Sequence, residues 1–77
     1  MKFFGTIEFL LDQRAAIVSL TDAAGDFAGA GRIDLRHRAF ESTSDLRSRL
    51  YEVGYIHASR SAIAKGGRLE RFTDVDL

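Results

Sequence analysis

The spacing of apolar residues along this chain changes from about two to about four, and no other feature restricts the fold as much. Over residues 2–11, Phe3, Ile7, Phe9 and Leu11 share one face of an extended chain, with Lys2, Thr6 and Glu8 on the other. Phe4 and Leu10 make the second face partly apolar. Asp12-Gln13-Arg14 reads as a turn, and residues 15–21 as a second strand with Ala16, Val18 and Leu20 in phase. Two such runs joined by a short polar link predict a hairpin. The stretch from Asp22 to Gly31 is the loosest, and in it Ala28-Gly29-Ala30-Gly31 suits the start of a third strand. Glycine there would mark a bulge or a close approach. From Gly31 to Arg38 the strand is clearer, with Ile33 and Leu35 pointing one way and Arg32, Asp34 and Arg36 the other. That charged side is either the solvated face of a half-buried strand or a contact surface.

Helical spacing begins at Ser42-Thr43-Ser44-Asp45, where Ser42 and Asp45 are placed as an approximate capping box. Leu46, Leu50 and Val53 then repeat on one face, with Tyr51 beside them. Asp45 and Arg49, four apart, are spaced to pair on the exposed side. Gly54 is predicted to end this helix. A second, weaker helix is predicted over Ala58 to Lys65, anchored by Ile56 and Ile63 and stopped by Gly66-Gly67. Arg68 to Phe72 alternates as a last strand, offering Leu69 and Phe72 to the core. The expected fold is a single α+β domain over residues 1–77, ordered β-β-β-α-α-β. A three- to four-stranded antiparallel sheet would carry one or two helices on one face.

With 77 residues and no cysteine, neither disulfides nor thiolate metal sites contribute. That points to a reducing compartment, and Met1-Lys2-Phe3-Phe4-Gly5 resembles neither a signal peptide nor a membrane span. The expected location is the cytoplasm. Eleven basic residues balance eleven acidic ones, but unevenly along the chain. The first 31 residues and the Asp74–Asp76 tail lean acidic, while residues 32–71 carry most of the arginines. A basic patch is therefore compatible with the sequence, but a strong positive field is not. The excess of arginine over lysine, with abundant alanine, fits coding by a GC-rich bacterium or its phage.

Motifs for chemistry are missing. The Gly25–Gly31 stretch has neither the Lys-Ser/Thr ending of a phosphate loop nor a G-x-G-x-x-G pattern. His37 stands near arginines that disfavour a bound cation, and His57 has no orienting carboxylate nearby in sequence. No metal, cofactor, small-molecule substrate or catalytic group is expected, and the chain reads as a binder rather than an enzyme. A helix-turn-helix about Gly54 fails where a buried aliphatic is required, because Arg60 stands there. No RNA-binding aromatic string occurs, so direct nucleic-acid binding is not expected. Tyr51 and Tyr55 suit either protein contacts or half-buried packing, the commoner fate.

Phe40-Glu41-Ser42-Thr43, followed by Leu46, Ser48 and Tyr51, resembles a segment of small type I anti-CRISPR proteins, which likewise open Met-Lys-Phe. The resemblance is close over Met1–Phe3 and Phe40–Tyr51, and elsewhere it is one of pattern. It implies a cytoplasmic role in an infected bacterial host, where a phage or mobile-element inhibitor binds protein subunits of the Cascade surveillance complex. Such an inhibitor blocks hybridisation to target DNA. The aromatic residues of the similar sheet are replaced here by Thr6 and Leu20, so the implied contact residues do not carry over. The charge pattern instead nominates Glu8, Arg32, Asp34 and Arg36 for partner contacts. The acidic set Glu8, Asp12, Asp22 and Asp26 suits a basic channel, and the arginine face suits acidic protein. The alternative is a small DNA-binding or antitoxin-like regulator using Arg32, Arg36, Arg38, Arg47 and Arg49.

Overall fold

The computed structural model describes every residue except His37, Asp76 and Leu77. The readings of His37 and of the Asp76 end of the acidic tail lie outside the described residues. Strand β1 (Lys2–Leu10) leads through a 3₁₀ turn (Leu11–Gln13) into β2 (Ala15–Asp22), and a short loop leads into β3 (Phe27–Asp34). Helix α1 (Thr43–Ala64) then returns the chain to β4 (Arg68–Asp74). The sheet order is β3-β2-β1-β4, and α1 lies across one face of it.

Each turn has a local cause. Arg14 closes the first hairpin with a left-handed backbone (φ 52°), and its N–H donates to Leu11 O at 3.1 Å. In the second hairpin Asp22 accepts from the N–H groups of Ala24 and Asp26 at 2.9 and 3.0 Å, which folds the loop on itself. The third strand begins at Phe27 and takes in the whole Ala28–Gly31 run. Its register to β2 slips between Leu20 and Thr21, beside Gly29 with φ 135°, so glycine marks a bulge as expected. The strand ends at Asp34, which leaves Leu35 and Arg36 in the following turn.

The inner face of the sheet buries Phe3, Ile7, Ala16, Val18, Leu20 and Phe72. Against it α1 sets Leu46, Leu50, Gly54, Ala58 and Ala62, one residue every four along a single stripe. The stripe runs from large residues to small, so the helix approaches the sheet closely in its second half. Gly54 is the tightest point. A Cβ there would lie 2.7 Å from Ile7 Cδ1 and 3.3 Å from Val18 Cγ2. Gly54 therefore does not end the helix; it lets one helix of 22 residues continue past the core. The expected anchors Ile56 and Ile63 are on the outside, 45% and 66% exposed, because the unbroken phase assigns their place to Ala58 and Ala62.

At its start α1 is capped by Ser42 Oγ, which accepts from the Asp45 N–H at 3.1 Å. Asp45 reaches the Glu41 N–H at 3.4 Å, and Arg49 pairs with Glu52 at 3.6 Å instead of with Asp45. The helix stops in a Schellman turn: Gly67 N–H donates to Ala62 O and Gly66 N–H to Ile63 O, both at 3.0 Å, with Gly66 at φ 82°.

The α+β class holds, with four strands and one helix on one face. The last strand pairs with β1 in parallel, so the sheet is mixed. The single helix explains this. β3 runs in the direction of β1, one helix reverses the chain once, and β4 must enter in that direction again.

Candidate partner-binding surface

The face of the sheet turned away from α1 has no second layer over it among the described residues. Alternation assigns Phe4, Thr6, Glu8 and Leu10 of β1 to this face, with Ile17, Ser19 and Thr21 of β2. From β3 it takes Ala30, Arg32 and Asp34. Register then sets the rows. Glu8 lies opposite Ile17, and Ile17 opposite Arg32, so Glu8 and Arg32 are two strand spacings apart, about 10 Å. In the next row Leu10 faces Ala15 and Ala15 faces Asp34.

Three of the four sequence-nominated residues form one ion network. Arg32 Nε donates to Asp34 Oδ2 at 2.9 Å, and Arg32 Nη2 donates to Gln13 Oε1 at 3.0 Å. Arg36 approaches the same carboxylate two-pronged, Nε to Oδ1 at 3.3 Å and Nη2 to Oδ2 at 3.2 Å. Glu8 is not bonded into this network but shares the face and the row. The hydrogen bonds from Arg32, then those from Arg36, hold the Asp34 carboxyl below its ordinary value. These exposed pairs add little stability, because solvent screens surface ion pairs. Their consequence is geometric, since they fix two guanidinium groups beside each other. Counted with Glu8, the four formal charges sum to zero, which suits a mixed-charge protein surface more than a run of phosphates.

Arg14 buttresses this end of the face. Its Nη1 donates to Arg38 O at 2.8 Å, its guanidinium stands 6.0 Å from the Phe40 ring centre, and its carbonyl accepts from Leu35 N–H at 2.8 Å. The segment that follows β3 is thus tied to the first hairpin. The opposite end of the face is apolar, which sequence reasoning caught at Phe4 and missed at Phe27. There Phe4 lies opposite Thr21 and Thr21 opposite Phe27, whose side chain is 73% exposed. For Phe4 the signal was its parity with Lys2, Thr6 and Glu8, which made this face partly apolar in the sequence. Phe27 had none, because its strand starts on the far side of a bulge.

The remaining candidates are structural. Tyr51 OH donates to Phe72 O at 3.2 Å, and both Tyr51 and Tyr55 meet the Phe72 ring edge-on at 5.2 and 5.8 Å. Both pack against Phe72 while remaining partly exposed, at 40% and 48%. Arg47 bonds the buried carboxylate of Asp74 and lies 4.2 Å from the Phe9 ring centre, joining α1 to the far end of β4. Among the described residues, Arg32, Arg36, Arg47, Arg49 and Arg68 each face a carboxylate, so much of the arginine content is neutralised internally. A helix-turn-helix is absent from the described residues, since residues 43–64 form one helix. No three described residues of metal-binding type cluster, and no described helix is long and apolar enough to cross a membrane.

Comparison with known protein families, curated proteins and solved structures finds no match to this chain.

Proposed function

We propose that this protein is a binding module whose uncovered sheet face engages a larger protein partner, and that the partner is a type I Cascade complex kept from target DNA. The observation carrying the binding reading is the open face itself. It is a four-stranded sheet face with a hydrogen-bonded network (Arg32, Asp34, Arg36) that balances in charge with Glu8 at one end, and exposed Phe27 at the other. Apolar and charged groups displayed on one firm surface suit protein recognition without a deep pocket. The choice of Cascade rests on the resemblance over Phe40–Tyr51. In this chain Ser42 caps α1, Leu46 is buried and Phe40 lies beside Arg14, so the resemblance supports a shared scaffold more than shared contacts.

The test is co-elution of the purified chain with recombinant type I Cascade, followed by target-DNA binding of the complex. The expected result is co-elution with loss of DNA binding. Both should weaken when Glu8, Arg32 and Arg36 are reversed in charge, with the thermal midpoint little changed. Normal binding by the reversed variants would remove this face as the contact. DNA binding by the chain alone, falling steeply with salt, would replace the inhibitor reading by the regulator one.

A further inference from the structure

On the helix side of the sheet, at the β3 edge, the second half of α1 encloses a cleft of about 120 Å³. One wall is the backbone of Gly29, Ala30 and Gly31; the other is His57, Ser61 and Lys65. These three polar residues are four apart, so they stand in line along the helix. The glycines make the room. A Cβ on Gly31 would lie 2.8 Å from His57 Nε2, and one on Gly29 3.8 Å from Lys65 Nζ.

Two features mark this cleft. No carboxylate lines it. Moreover, His57, Ser61 and Lys65 have no side-chain hydrogen bond or ion pair among the described residues, whereas most arginines here are paired. An ammonium, a hydroxyl and an imidazole thus converge on a space with nothing of opposite charge in it.

We infer that this cleft binds an oxyanion, a phosphate or carboxylate group presented by a larger molecule. The volume is below that of pockets enclosing whole small-molecule ligands, but it admits one such group. Lys65 supplies a charge-assisted hydrogen bond and Ser61 a neutral one. Lys65 also stands where it complements the free carbonyls of the helix end, but that role requires neither Ser61 nor the glycines. The site lies on the opposite side of the sheet from the proposed partner surface and stands or falls independently of it.

The test titrates the ¹⁵N-labelled full chain with sodium phosphate and, separately, sodium acetate, at fixed pH and with sodium chloride holding ionic strength constant. The Gly29, Gly31 and Ser61 amides report. The expected result is saturable shifts at millimolar concentration with at least one anion, and which anion saturates identifies the source as phosphate or carboxylate. Affinity should fall about tenfold or more in Lys65→Met, the loss of a charge-assisted bond. It should fall severalfold in Ser61→Ala, and be abolished by the added methyl of Gly31→Ala. Lys65 is exposed and Ser61 partly so, and both variants should keep the parent thermal midpoint. Shifts that never saturate, or that saturate equally in Lys65→Met, would overturn the site.

Discussion

Asp34 determines how the open face presents its charge. It accepts from two arginines at once, so its ionisation decides whether Arg32 and Arg36 are held or released. Its carboxyl is held below the ordinary value in the folded protein. The sign follows from that direction. The network contributes fully above the unfolded carboxylate value, about 3.9, and its contribution is lost as pH falls through the lower folded value. A ¹³C titration of the Asp34 carboxyl should give a midpoint below that of aspartate in an unstructured peptide, and Arg32→Gln should move it upward. An unmoved midpoint in that variant would show that the Arg32 hydrogen bond is not the cause. Period-2 alternation was enough to nominate Arg32 and Asp34 as neighbours on one face. The Gln13 contact was out of reach, because it depends on the hairpin register that brings residue 13 beside residue 32.

At the scale of elements, the largest departure of the sequence reading from the structure turns on one residue. Taking Gly54 as a stop splits α1 in two. A pair of helices reverses the chain twice, which delivers the last strand antiparallel, and a restarted phase turns Ile56 and Ile63 inward. Restoring one helix changes all three together. The strands, their order along the chain, the Ser42 cap and the glycine stop were legible because each has a local cause. Gly54 was not, since its reason is the contact with Ile7 and Val18, far away in sequence. Urea denaturation distinguishes the two phases. Leu50→Ala, at a fully buried position, should cost about 2–5 kcal/mol. Ile63→Ala should stay within about 0.5 kcal/mol, as at other exposed sites. Gly54→Ala should lose stability too, because overpacking of about 1–3 kcal/mol exceeds the roughly 1 kcal/mol gain in helix propensity. A large loss at Ile63, or a more stable Gly54→Ala, would contradict the continuous buried stripe.

For the whole molecule, β1 is the organising strand, paired with β2 on one side and β4 on the other and buried under α1. Hydrogen exchange should therefore be slowest in the middle of β1 and fastest, among strand amides, over Ala28–Gly31 at the edge. Equal rates in the two would mean that the sheet opens as one unit. The pairing of Phe3 with Leu69 has a further consequence during synthesis. β1 leaves the ribosome long before its parallel neighbour exists. At about 5–20 residues per second, the intervening chain takes roughly three to thirteen seconds to be made. The hairpin, complete at Asp22, keeps Ile7 and Val18 uncovered until α1 ends at Ala64, roughly two to eight seconds at the same rate, and that interval is the window open to a chaperone that binds apolar surface.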